Sequence, residues 1–211
     1  RHHRELQRRH SHAGVVIYRA QVATARQRYA ELTGKVEAFF DRVRGKYEPK
    51  RAEAVLRLVA EKANWAARGK LPKRTALGIA QWWSHLGYFA VVADVSVSGE
   101  DVRVNKVWVA ADVGSHVVNP FGAENQVRGS VIDGIGQALG LEAVFEDGRP
   151  IVQNFDAWPL PRMSATPEID ISWVKTDYPP TGLGEPALPP VIPAITNAIY
   201  AATGKRIRDL P

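Results

Sequence analysis

No cysteine occurs among the 211 residues, which excludes a disulfide scaffold, a cysteine-ligated zinc, a thiol nucleophile and an iron–sulfur cluster held by this chain. The compartment stays open, because a cysteine-free chain tolerates oxidising and reducing surroundings alike. Long apolar runs are also missing: charged, polar and proline residues interrupt every stretch short of the ~18 residues a membrane-spanning helix needs. Methionine occurs once, at Met163, and the sequence begins at Arg1, so it reads as a processed or partial product. There is no P-loop, no Gly-x-Gly-x-x-Gly, no His-Glu-x-x-His and no calcium loop. The remainder is of ordinary globular composition, 45% hydrophobic and 24% charged, and fits one large domain or a compact domain with an appendage.

Charge is unevenly divided. Residues 1–75 hold 19 Lys+Arg against 7 Asp+Glu, whereas residues 76–211 hold 9 against 15, so the net +6 belongs to the first third. His2, His3, His10 and His12 lie among Arg1, Arg4, Arg8 and Arg9, and the tract 1–19 reads as a basic, disordered arm. From residue 20, Val22, Ala25, Tyr29, Leu32, Val36, Phe39 and Val43 recur in three- and four-residue steps, predicting a helix with one buried stripe that ends at Gly45. Pro49 opens a second helix of about residues 51–67, broken by Gly69 and Pro72. Residues 20–75 therefore read as a helical extension and 76–211 as the main domain.

That domain mixes two periodicities. The runs 89–97 and 102–110 are rich in valine and flank the turn 98–101, predicting an antiparallel hairpin. Residues 123–139 carry Val127, Val131, Ile135 and Leu139 at helical spacing, with Gly140 beyond the end. A second hairpin over 143–154, a strand over 168–174 and a last helix over 190–203 ending at Gly204 complete an α+β class of antiparallel hairpins and packed helices. Gly129, Gly134 and Gly136 inside the 123–139 helix each disfavour it by up to ~1 kcal/mol relative to alanine. Close packing of helix on helix or strand explains them, and so does backbone approach to a bulky ligand beside Gln126.

Two glycines in Thr181-Gly182-Leu183-Gly184-Glu185-Pro186 deliver one carboxylate just before a proline-stiffened helix entry. Glu185 is either a general base or a favourable charge at the N-terminus of the next helix. Ser84, His85, Ser115, His116 and Asp112 permit a Ser-His-Asp reading only formally, since no nucleophile elbow is present. Trp82-Trp83 reads as filler of a core or an interface.

Jointly, Asn119-Pro120, Gln126-Val127-Arg128-Gly129, Gly134-Ile135-Gly136-Gln137-Ala138-Leu139, Gly182-Leu183-Gly184-Glu185-Pro186, the run 193–199 and the run 203–208 resemble the molybdenum-binding large subunit of the xanthine dehydrogenase/aldehyde oxidase family. The similarity is to its C-terminal part, nearest the isoquinoline 1-oxidoreductase beta-subunit type. It covers about residues 50–211 and is densest from 76 onward. The resemblance implies a molybdenum-molybdopterin cofactor in its cytosine dinucleotide form, with Glu185 as the base beside molybdenum. It makes Gln126, Gly129, Gly134, Gly136 and Gly184 cofactor neighbours. It further implies oxidative hydroxylation of an aldehyde or N-heterocycle with water as the oxygen source, and iron–sulfur clusters on a partner small subunit. Arg128 stands where the family is often acidic, and family large subunits are far longer, so the remainder of the subunit or a second chain is an expected partner. The competing expectation is a non-catalytic domain that binds a partner or a polyanion through its basic helical part.

Overall fold

The computed structural model describes residues 47–211, together with Arg28, Ala30 and Glu31, which are helical. The basic arm and nearly all of the helix expected over 20–44 lie outside the described residues. Glu48–Pro211 forms one compact unit.

Helix α1 (Pro49–Lys62) starts with proline in its first turn, where a missing N–H costs nothing, and ends where Asn64 takes a left-handed conformation. A 3-10 turn, Trp65–Lys70, leads to a four-stranded sheet. Its strands are β1 (Thr75–Ser84), β2 (Gly87–Ser98), β3 (Asp101–Asp112) and, after a crossover carrying α2 (Pro120–Leu139), β6 (Glu168–Trp173). Between α2 and β6 lies a small hairpin of β4 (Phe145–Glu146) and β5 (Arg149–Pro150). Helix α3 (Val191–Thr203) follows β6.

The hairpin expected over 89–110 is present as β2–β3, with Gly99 at positive φ in its turn. Asp147 and Gly148, both at positive φ, close β4–β5 in a tighter form than the expected 143–154 hairpin. The expected strand over 168–174 is β6, yet it pairs with β3 in parallel rather than in a hairpin. A parallel neighbour needs a long crossover, and residues 113–167 supply it.

β1 has no counterpart in the sequence reading. It pairs with β2 from Thr75↔Ser96 to Ser84↔Gly87 through a two-residue turn in which His85 (φ 53°) and Leu86 (φ 65°) are both left-handed. Two positive φ values mark the turn that matches sheet twist, but neither side chain favours that region. Replacing His85-Leu86 by Asn-Gly should raise stability by about 1 kcal/mol, read as a shifted urea midpoint at constant m-value.

Alternation along the strands builds two cores. Phe89, Val91, Ala93, Val107, Val109 and Ala111 face α2 and α3, meeting Val127, Val131, Ile135, Val191, Ile195 and Ala198. Tyr88, Ala90, Val92, Ala110 and Leu77 face α1, meeting Ala52, Val55 and Val59. Helix α1, read from sequence as part of an extension, is thus one outer layer of this unit. Trp83 packs on its core, while Trp82 is 46% exposed and fills none.

Candidate functional site

The site forms where the loop before α3 crosses α2. Asn119 caps α2 by accepting the Gly122 N–H at 3.0 Å, and Pro120 follows in the first turn. Val127, Ser130, Val131 and Gly134 turn into the protein, which leaves Gln126, Gly129 and Asp133 exposed on one stripe. The loop is held from several sides. Ser115 N–H donates to Tyr178 O at 2.8 Å, Thr181 N–H donates to Val113 O at 2.9 Å, and Ser130 Oγ donates to Gly184 O at 2.6 Å. Gly114, at φ 94°, lies so close under Tyr178 and Pro179 that a Cβ there would overlap the Pro179 carbonyl.

This crossing makes a shallow, open groove lined by Gln126, Gly129, Ser130, Asp133, Gly184 and Glu185. It adjoins, through Gln126, a second shallow groove edged by His116, Asn119, Thr181 and Leu183. Two larger cavities, about 890 and 720 Å³, lie away from Glu185. The first sits between the β2–β3 turn and the end of α3, the second between β3, α2 and residues 159–168.

Four of the expected site residues, Gln126, Gly129, Gly184 and Glu185, share this groove. Gly184 is close to Gln126: a Cβ there would stand 3.3 Å from Gln126 Oε1. Gly129 presents bare backbone, with nothing within 4 Å of where its Cβ would be. Gly134 and Gly136 are not in the groove, and their close approaches are to protein. A Cβ on Gly134 would meet Val191 at 3.0 Å, and one on Gly136 would meet Pro161 at 2.9 Å and Leu141 at 3.0 Å. Of the two explanations for the helix glycines, close packing accounts for these two positions, and at Gly129 no protein atom packs against the backbone.

Glu185 is exposed, so the described residues do not enclose it. Nor is it used as a helix cap. Pro190 stands at the N-cap of α3, no side chain caps that end, and the Glu185 carboxylate has no hydrogen-bond or ion-pair partner among the described residues. Arg128 points away from the groove, donating from Nη1 to Ile169 O at 2.8 Å, so its charge serves the edge strand β6. The Ser-His-Asp reading fails on geometry. The Ser84 and Ser115 hydroxyls bond the exposed histidines next to them, at 2.8 and 3.1 Å, while Asp112 is fully buried elsewhere.

Asp112 belongs to a network no local sequence signal announces. Arg51 of α1 grips it with two hydrogen bonds, Nε to Oδ2 at 2.7 Å and Nη2 to Oδ1 at 2.6 Å. Thr176 Oγ1 and Gly114 N–H also donate to Oδ1, at 2.9 and 3.1 Å. The guanidinium lies between the rings of Tyr88 and Tyr178, 4.6 and 4.3 Å from their centroids. Burial pushes the Asp112 carboxyl up, but the hydrogen bonds from Arg51, Gly114 and Thr176 and the guanidinium charge outweigh it and hold the group below the usual carboxylate range. For Arg51, burial pulls down, and the Asp112 hydrogen bond and charge more than offset it. This pair ties α1 to β3 and to the strand-to-loop turn that leads toward Glu185.

Bare backbone at Gly129, an amide at Gln126 and an unpaired carboxylate on a fixed loop suit one side of a large polar organic cofactor. No group of three or more His, Cys, Asp or Glu among the described residues could hold a metal ion. No helix of the described residues is long and apolar enough to cross a membrane.

Comparison with known proteins agrees with this chemistry. Residues 13–167 match the model of a molybdopterin cofactor-binding domain. The chain is 36% identical over 167 residues to a membrane-bound aldehyde dehydrogenase [pyrroloquinoline-quinone] of Gluconacetobacter polyoxogenes, and 34% identical over 164 residues to isoquinoline 1-oxidoreductase subunit beta of Brevundimonas diminuta. Each alignment covers 76% of this chain but 21% of the relative, so the chain spans about a fifth of their length. Among solved structures, the aldehyde oxidoreductase of Desulfovibrio gigas superposes with a TM-score of 0.53 at 30% identity, over 59% of this chain and 14% of that one. With the family model matching well over half of its residues, this chain belongs to the molybdopterin cofactor-binding domain family.

Proposed function

We propose that this chain supplies one wall of the active site of a molybdenum hydroxylase large subunit, with Glu185 as general base and Gln126, Gly129 and Gly184 lining the cofactor. The observation that carries this reading is the groove itself: residues from α2 and from a loop some sixty positions later meet around one carboxylate that has no partner among the described residues. The bound molybdenum-molybdopterin, in its cytosine dinucleotide form, supplies the two-electron redox chemistry. Gln126 orients the cofactor through its amide, which both donates and accepts. Gly129 lets it approach the helix backbone, and Gly184 lets the loop pass close to Gln126. Glu185 takes up the proton released as a water-derived oxygen is added to an aldehyde or N-heterocycle carbon.

Because the groove is open, the other walls come from the rest of a large subunit, on this or a second chain, and closing them excludes water from Glu185. Electrons leave through iron–sulfur clusters on a small partner subunit; these 211 residues, without cysteine, hold no ligands for them.

In the native complex, Glu185→Gln should lower turnover about 10²–10⁴-fold with molybdenum content unchanged. Full activity in that variant sinks the base assignment and favours a non-catalytic, partner-binding domain. The Gluconacetobacter relative, a pyrroloquinoline-quinone aldehyde dehydrogenase by name, supports a second reading, a pyrroloquinoline-quinone site. Metal analysis separates the two: stoichiometric molybdenum supports the first, and a quinone without molybdenum the second.

A further inference from the structure

We propose that Ser130 is a positioning residue for Glu185, its buried hydroxyl on α2 clamping the carbonyl of Gly184, the residue immediately before the carboxylate. The inference rests on the reading of Glu185 as base.

Ser130 is 8% exposed and lies on the inward side of a helix, where alanine is the better helix former and would pack without a polar atom. A helical serine commonly returns its hydroxyl to the carbonyl one turn back, which satisfies it locally. Here Ser130 Oγ instead donates across the crossing to Gly184 O at 2.6 Å. The acceptor sits at the most permissive point of the loop, a glycine two residues after Gly182. Because the peptide group is planar, fixing the Gly184 oxygen also fixes the Glu185 nitrogen and Cα. The following peptide is held as well, since Leu188 N–H donates to Glu185 O at 3.0 Å. Glu185 is thus bound on both sides through its main chain while its side chain stays free, as a carboxylate needed in one place for proton transfer requires. Gly184 also passes close to Gln126, where a Cβ would stand 3.3 Å from Oε1 and the amide would have to shift slightly.

Two measurements on Ser130→Ala test the proposal. In the full 211-residue chain, amide hydrogen exchange over residues 185–188 should quicken about two- to tenfold, the worth of one net hydrogen bond, while β2 and β3 amides keep their protection. In the native complex, kcat should fall about ten- to a hundredfold with KM within twofold, because a displaced base weakens turnover rather than substrate binding. A variant that only loosened the fold would raise exchange in the strands too. Unchanged exchange over 185–188 overturns the clamp whatever the activity. Faster exchange with unchanged kcat, where Glu185→Gln is inactive, overturns the positioning role. Faster exchange together with a fully active Glu185→Gln means that the base assignment has failed while the clamp stands.

Discussion

Arg51→Met should destabilise the protein by about 3–5 kcal/mol, measured by urea unfolding at neutral pH. The replacement keeps most of the aliphatic volume but leaves Asp112, fully buried, with a charge answered only by Thr176 and the Gly114 N–H. Losing the guanidinium from between Tyr88 and Tyr178 adds to the cost. The pH dependence separates this cause from lost packing. In the wild type the Asp112 carboxyl is held below its ordinary value, so its contribution is complete above about pH 4 and disappears as the pH falls through the lowered folded value. In Arg51→Met the same burial, opposed only by the Thr176 and Gly114 hydrogen bonds, should raise the folded value, and protonation then relieves the uncompensated charge. The deficit between the proteins should therefore shrink on acidification. Arg51→Met combined with Asp112→Leu should recover much of the stability, since removing both charges leaves none uncompensated. A deficit constant from pH 7 to pH 3 would sink this account.

Gly78→Ala is the second large effect, expected at about 3 kcal/mol or more, the upper end for overpacking. Gly78 lies in β1 directly beneath α3, and an added methyl carbon would overlap the carbonyl oxygen of Ala194 and the nitrogen of Ala198. Both are main-chain atoms of a packed helix, so no rotamer change relieves the clash and α3 must lift as a body. That lift would also strain the Asn197 side chain, which donates to Ile79 O at 3.1 Å. Thermal unfolding should show the loss, and Gly99→Ala is the contrast: its positive φ brings strain, but nothing lies within 4 Å to clash. Equal losses in the two variants would contradict close packing as the cause.

The elements that were legible carry their signals locally. α3 shows its stripe of Val191, Ile195 and Ile199 and stops at a left-handed Gly204; α2 shows Val127, Val131 and Ile135 at helical spacing, though it begins at Pro120, ahead of the stretch expected from 123; Asp147-Gly148 and Gly99 mark their turns. β1 was hidden because its turn is made by His85-Leu86, two residues that ordinarily avoid positive φ, and because Gly78 and two tryptophans blur its alternation. β6 was found, but its parallel partner was not, since strand direction depends on the crossover and not on the strand's own residues. In the site, Glu185 was visible from its flanking glycines, and Ser130 was not. A serine at an inward helix position carries no signal until a second segment supplies its acceptor.

By itself, then, the sequence determined the α+β class, most element positions, the absence of thiol chemistry, and the family resemblance that drew attention to Glu185. Those properties reside in composition, periodicity and short motifs, which act over a few residues. Tertiary structure alone decided that α1 joins the sheet through Arg51–Asp112 and that Gly134 and Gly136 serve packing while Gly129 stays open. It alone decided, too, that Gln126, Ser130 and Gly184 converge on one carboxylate. Arg51–Asp112, Gly134–Val191, Gln126–Gly184 and Ser130–Gly184 all join residues more than fifty positions apart, and such contacts are set by how whole elements stack to bury their apolar faces.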